Sequence, residues 1–225
     1  MSIPTAERKS LASPDASKSN DTENNAQLQA SPSFIKKTYD LHCPRKNHLD
    51  VQDGSTTTLH LAIVEVRDKP DLVLHRGPSA RAPQIALSKL ERSSKNFAIY
   101  LGADDSPGKD DWDVVRFVDG GFPFTTPGTK SEFHWTKTST WTGRDFKLVD
   151  EDTGEDVAVY TDRMGMHAVG RRGRVEWLRE CGGAVEALAL IVLFSILERK
   201  SRIVRAVFKA ISPSGGTGGV GVAAA

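Results

Sequence analysis

The run Ala184–Leu197, AVEALALIVLFSIL, constrains this chain more than any other segment. It is the one long, nearly uninterrupted apolar stretch, and Glu198, Arg199 and Lys200 follow it at once. Crossing a bilayer takes about 20 apolar residues, whereas a run of roughly 10–14 is typical of a core helix. This run has the shorter length and carries Glu186 inside it. A helix apolar on all sides needs apolar surroundings on all sides, so the run predicts a helix enclosed by the rest of its own domain.

What precedes the run indicates how it is enclosed. Short segments of alternating apolar and polar residues recur: Thr58–Val66, Leu72–His75, Gln84–Leu90, Asn96–Leu101, Trp112–Val118, Glu132–Thr136, Phe146–Val149 and Val157–Tyr160. Most are bounded by Gly, Pro, Asp or Ser, the pattern of a sandwich or barrel. The clearest hairpin joins Phe146–Val149 to Val157–Tyr160 through an acidic turn that carries Gly154. The terminal helix is expected to start near Gly183 and to run to about Ile211, since no proline intervenes before Pro213. Past Glu198 the pattern becomes amphipathic and basic: Ile203, Val204, Val207, Phe208 and Ile211 alternate with Arg202, Arg205 and Lys209. A mainly β fold results, a closed antiparallel β-barrel around a hydrophobic C-terminal α-helix, which also removes the strand edges.

The flanks differ in composition. Residues 1–33 are rich in Ser, Ala, Asn and Asp with few large apolar side chains, and are expected to be a disordered arm. Residues 212–225, SPSGGTGGVGVAAA, read as a flexible Gly-rich tail. The barrel domain is therefore expected over 34–211. No apolar secretory stretch opens the sequence, and two cysteines, Cys43 and Cys181, make no disulfide framework. A cytoplasmic protein able to sit at a membrane periphery is the expectation. A formal net charge of +1 gives no global pull toward nucleic acid, so only a local patch could attract a polyanion.

Several residues resemble those of a known group. Phe133-His134-Trp135-Thr136-Lys137 resembles an aromatic strand ending in Trp and a basic residue, Phe146–Asp150 with Val157–Tyr160 resembles the hairpin after it, and Ala184–Leu197 with Glu198-Arg199-Lys200 resembles a central helix with a basic exit. Together they resemble the tubby C-terminal-like superfamily, which includes the tubby, LURP-one-related and phospholipid scramblase families, and most nearly its fungal members. The resemblance covers roughly residues 34–211. It implies the barrel threaded by a helix, and an association with lipid: phosphoinositide binding in tubby proteins, a lipid-scrambling role in scramblases. The tubby basic pocket and the scramblase cysteine cluster have no counterpart here.

Candidate chemistry is sparse. His42, Cys43 and His48 in LHCPRKNH match no closed zinc pattern and read as a polar loop. His60 and His75 fall in strand patterns and read as structural; His134 and His167 have no identifiable partner. Asp104, Asp105, Asp110, Asp111 and Asp113 read as a solvated loop rather than a calcium site. Neither Ser195 nor Cys181 has a context for activation as a nucleophile. No catalytic function, metal or cofactor is expected.

The feature with functional interest is basic. Between Gly170 and Lys209, Arg171, Arg172, Arg174, Arg179, Arg199, Lys200, Arg202, Arg205 and Lys209 outnumber Glu176, Glu180, Glu186 and Glu198. Basic clusters attract anionic lipid by about 1 kcal/mol per residue near the surface. The expectation is a non-catalytic binding module that meets anionic phospholipid, or a protein partner, through Arg171, Arg172, Arg174, Arg199, Lys200, Arg202 and Arg205, with GRRGR as an exposed turn. Against it stand a structural or protein-interaction adaptor, a helix end merely solubilised and capped by its cations, and a tail-anchored protein with the apolar run in a bilayer.

Overall fold

A computed structural model describes residues 35–66, 69–91, 94–127, 131–138, 145–162 and 170–211, with the side chains of 171, 172 and 207–211 excepted. The expected arm over 1–33 and tail over 212–225 lie outside the described residues, as does His167. Twelve strands form one sheet: β1 Lys37–Cys43, β2 His48–Asp53, β3 Thr56–Ile63, β4 Leu72–Arg76, β5 Gln84–Leu90, β6 Phe97–Leu101, β7 Asp113–Val115, β8 Gly121–Thr125, β9 Glu132–Lys137, β10 Phe146–Asp150, β11 Asp156–Asp162 and β12 Gly170–Trp177. One helix, α1 Gly183–Ile211, follows them.

The strand order is β7-β6-β5-β4-β3-β2-β1-β12-β11-β10-β9-β8. Each strand pairs antiparallel with its neighbour in this order, and β1 against β12 joins the first half to the second. The two edges, β7 and β8, are consecutive in the chain. The bridge Val118↔Gly121 brings them together around Asp119 and Gly120, whose positive φ values of 46° and 86° suit a tight hairpin turn. The barrel is thus nearly closed. At its seam β8 carries Pro123, which lacks the N–H that an added strand would use.

Alternation selects the interior. Phe133 and Trp135 of β9, Phe146 and Leu148 of β10, and Val175 and Trp177 of β12 all face a common core. Gly173 of β12 is buried for a steric reason: a Cβ there would stand 2.7 Å from the Tyr160 ring, so glycine leaves room for that inward tyrosine. GRRGR, expected as an exposed turn, belongs instead to β12, held between β1 and β11. The pattern hides this strand because a glycine takes one inward position and only Val175 and Trp177 follow it, too few apolar residues to mark it. Strands β1, β2 and β8 also lie outside the alternating series read from the sequence. Pro44–Asn47, expected as part of a polar lead-in, is the hairpin loop between β1 and β2.

Helix α1 fills the barrel. Ala187 through Phe194, and Ile196, are each 4% exposed or less, so neither side of this stretch meets solvent. Mid-helix polar groups are satisfied by the wall. The Trp135 indole donates to the Ala189 carbonyl at 2.9 Å. The Ser195 hydroxyl lies 2.7 Å from both the Ser88 hydroxyl and the Ile191 carbonyl, so it accepts from Ser88 while donating back along its own helix. Fully burying each large aliphatic or aromatic side chain contributes about 1.5–3 kcal/mol, and most of this core exists only because helix and wall cover each other. No helix among the described residues is long and apolar enough to cross a membrane.

Two outcomes check this packing. Leu190→Asp or Leu193→Asp, both at 0% exposure, places a carboxylate where no polar partner can reach it, a cost of several kcal/mol and comparable to the whole stability of a domain. Both variants should lose the cooperative thermal transition, and an unchanged melting temperature for both would contradict an enclosed helix. At the seam, a Cβ on Gly121 would stand 1.7 Å from His134 Nε2 and 2.7 Å from the Trp135 carbonyl oxygen. Gly121→Ala is therefore expected to lower the urea midpoint, with the change seen by intrinsic tryptophan fluorescence.

Candidate functional site: the end of the barrel where the helix leaves

Strand register divides the barrel into two ends. Lys37 pairs with Trp177 at one end of the β1–β12 ladder and Cys43 with Gly170 at the other. Helix α1 enters at the first. Its Glu186 carboxylate accepts from Lys37 Nζ at 2.8 Å and from the Tyr39 hydroxyl at 2.9 Å. The acid that interrupts the apolar run is thus the group that fixes the helix at the mouth. Burial pushes the Tyr39 phenol up to about 12, reinforced by its bond to Glu186. Burial alone would lower the Lys37 ammonium, but its bonds to Glu186 and Tyr39 outweigh this and raise it. The buried Asp150 carboxylate at the same end is resisted by desolvation yet held below the usual range by Arg179, with the Thr153 and Asp152 amides assisting. Arg179 also stands 3.8 Å from Glu155.

The helix leaves at the other end. Twenty-nine residues rise about 44 Å at 1.5 Å each, while the longest strands, of eight residues, span about 27 Å. The last turns must therefore project, and Ile203 is 55% exposed. Around the exit the cations are held unequally. Buried Glu198 accepts from Arg202 Nε at 3.0 Å and from Arg205 Nη2 at 2.6 Å. Arg202 also reaches Asp71 at 2.6 Å, and Arg205 lies 3.6 Å from Glu65. These two arginines form a collar with three carboxylates and have little charge left for an outside ligand. Burial would lower Arg202, but Asp71 and Glu198 raise it.

Arg199 and Lys200 sit differently. Arg199 donates to the Asn96 carbonyl at 3.3 Å, and desolvation lowers its pKa against the weak pull of Glu91. Lys200 Nζ lies 4.2 Å from the centroid of the Phe146 ring, at the start of β10. Arg174 is outside the cluster: it faces out from mid-β12, donates to Asp40 at 3.0 Å across the β1–β12 ladder and lies 3.6 Å from Glu176. Arg171 and Arg172 begin β12 and so lie at the exit end by register; their side chains are outside the described residues. The fold therefore brings the two expected basic segments to one end, commits Arg202 and Arg205 to internal carboxylates, and places Arg174 on the flank.

The sequence pattern missed two features. One is that further cations gather at this end: Arg45 and Lys46 in the β1–β2 loop, Lys95 before β6, Arg116 after β7 and Lys137 closing β9. The acidic loops Asp104–Asp113 and Asp150–Asp156 lie at the opposite, entry end, so the charge of a nearly neutral chain is separated along the barrel axis. The other is a row of outward residues directly opposite one another on four strands, His42↔Asp50↔His60↔His75. Only the register brings these distant residues together, so spacing could not have shown it. Among the described residues, no group of three or more His, Cys, Asp and Glu side chains could hold a metal ion. Comparison with protein-family models, with curated proteins and with solved structures yields no match.

The collar gives a stability prediction. Glu198→Gln removes the charge that both arginines share in a buried position, leaving them with Asp71 and Glu65 alone. Breaking one side of a buried ion pair costs about 3–5 kcal/mol; because both arginines are about a third exposed, the expected loss is nearer 1–3 kcal/mol after screening. Urea unfolding of Glu198→Gln beside Glu198→Ala checks it, and no change in midpoint for either would show that the collar adds nothing to the fold.

Proposed function

We propose that this chain is a non-catalytic binding module that meets anionic phospholipid headgroups through the helix-exit end of its barrel. The observation that carries the reading is the axial separation of charge. Strand register brings Arg171 and Arg172 to the same end as Arg199 and Lys200, with Arg45, Lys46 and Lys137 beside them. The acidic loops occupy the other end. A molecule polarised in this way is oriented by an anionic surface even at a net charge of +1. The projecting turns of α1, with exposed Ile203, add an apolar group at the same end. The barrel threaded by a helix is compatible with the tubby C-terminal-like superfamily, and that resemblance, with the lipid association it implies, supports the same reading. Arg202, Arg205 and Arg174 act as structural ion pairs in this proposal, and the contact falls to Arg171, Arg172, Arg199 and Lys200.

The test is vesicle flotation of the full chain with phosphatidylcholine alone and with equal parts phosphatidylcholine and phosphatidylserine. Binding should require the anionic lipid and weaken with salt, since the Debye length is about 8 Å at physiological ionic strength. Each basic residue contributes about 1 kcal/mol, so Arg171→Glu with Arg172→Glu should reduce partition at least about tenfold, compared at a temperature where both proteins are folded. Arg174→Ala should leave it unchanged. Failure of the wild type to float with anionic vesicles at low salt would remove the lipid reading and favour the structural or protein-interaction adaptor.

A further inference from the structure

The row of outward histidines holds an arrangement that the lipid reading does not use. His60 is 4% exposed. Its Nδ1 lies 2.7 Å from Asp50 Oδ1, and its Nε2 lies 3.0 Å from His48 Nδ1. Asp50 can only accept, so His60 Nδ1 carries a proton. The facing nitrogens, His60 Nε2 and His48 Nδ1, must then share one proton between them. With His60 neutral, His48 donates; with His60 cationic, His60 donates and His48 accepts. Either way the contact survives with one hydrogen. A second proton puts N–H against N–H and two cations at ring centroids 5.1 Å apart, so the contact is lost.

The surroundings decide which ring moves. His60 is held by Asp50 from β2, and its other neighbour on β4 is His75, at a centroid distance of 6.3 Å. His75 is itself fixed, donating Nδ1–H to the Ala82 carbonyl at 2.9 Å. From β1, His42 stands opposite Asp50. His48 is half-buried and faces Arg45 and His60. Burial lowers its pKa first, and the positive charge of Arg45 and His60 lowers it further against Asp50. A histidine with a lowered folded value takes up its proton more readily when released. The folded contact is therefore complete above about pH 6.5 and is lost as the pH falls through the lower folded value. His48 opens β2 and its amide bonds to the Arg45 carbonyl at 3.2 Å, so the contact of its ring with His60 lies directly at the end of the Pro44–Asn47 loop.

We infer that the His48–His60–Asp50 chain is a proton-operated latch on the β1–β2 loop, whose opening frees the already exposed Arg45 and Lys46 to move and adds a cationic His48 beside them at an anionic surface. The inference rests on the exit-end reading, because that loop lies at the same end as the helix exit. It adds regulation: the hold on anionic vesicles tightens in mildly acidic solution.

Two measurements on the full chain test it. In the first, amide hydrogen exchange of the Pro44–Asn47 loop is compared between about pH 7.5 and about pH 5.5, after correction for intrinsic rates, in wild type and in His48→Asn. An asparagine amide can donate or accept at the His60 nitrogen, so it holds either charge state. Protection in wild type should fall at least about threefold on acidification and stay level in His48→Asn. Equal protection of the wild-type loop at both values, or equal loss in the variant, overturns the latch. In the second, flotation with equal parts phosphatidylcholine and phosphatidylserine should rise at least about threefold at the lower pH in wild type and stay flat in His48→Asn. Loop opening without flotation at either pH overturns the anionic-surface reading while sparing the latch. Flotation that rises equally in His48→Asn overturns the coupling between the two.

Discussion

Mutual burial of α1 and the barrel wall is the interaction on which the rest of this structure depends. Neither partner has an alternative. The helix from Ala187 to Ile196 is apolar around its circumference and would have no stable place on a surface. The wall presents Trp135, Phe146, Tyr160 and Trp177 inward, and without the helix these rings would enclose a void, which protein interiors do not tolerate. Most of the barrel must therefore form around the helix rather than before it, although the helix is last in sequence. Pairing β1 with β12 makes this a fold of long-range closure, in which loop entropy must be met before the central core returns its stability.

Enclosing an apolar rod also dictates what lies at its ends. The first turn and the exit both carry polar groups into partly dry surroundings, and each end meets that cost with an ionic cluster. Glu186 with Lys37 and Tyr39 fixes the entry. Glu198 with Arg202, Arg205, Asp71 and Glu65 fixes the exit. Such pairs are poor sources of net stability, but they set the axial register of the helix, because a shift by one turn in either direction would carry one carboxylate into the apolar interior and pull the other off its partners. They also commit Arg202 and Arg205, among the cations of the exit end, to the register of the helix.

The sequence made the central architecture legible because the relevant signals are local. The apolar run predicted an enclosed helix with the bounds observed, and Gln84–Leu90 appears as β5 unaltered. The strands that escaped, β1, β2, β8 and β12, lack clean alternation for physical reasons. Strand β12 spends an inward position on Gly173 to admit Tyr160. Strand β8 is an edge with a proline in it. Strands β1 and β2 place His42, His48 and Asp50 outward, where they break the apolar pattern. The candidate site was less legible. The excess of cations between Gly170 and Lys209 can be counted in the sequence, but its division cannot. That Arg202 is committed to Asp71, 131 positions away, and Arg174 to Asp40, 134 away, follows from closure of the barrel alone.

Closure also links charge to topology in a way that local patterning cannot. In an antiparallel barrel, alternate connections fall at opposite ends, so the end at which a loop sits is fixed by the parity of its strand. The acidic connections after β6 and β10 fall at one end, and the basic connection after β1 falls at the other with the start of β12. An inserted or lost strand between them would reverse the assignment without altering a single charged residue. The axial polarity is therefore a property of strand count as much as of composition. Since α1 must leave opposite to where it enters, its cationic second half is carried to the basic end by the same constraint that buries its first half.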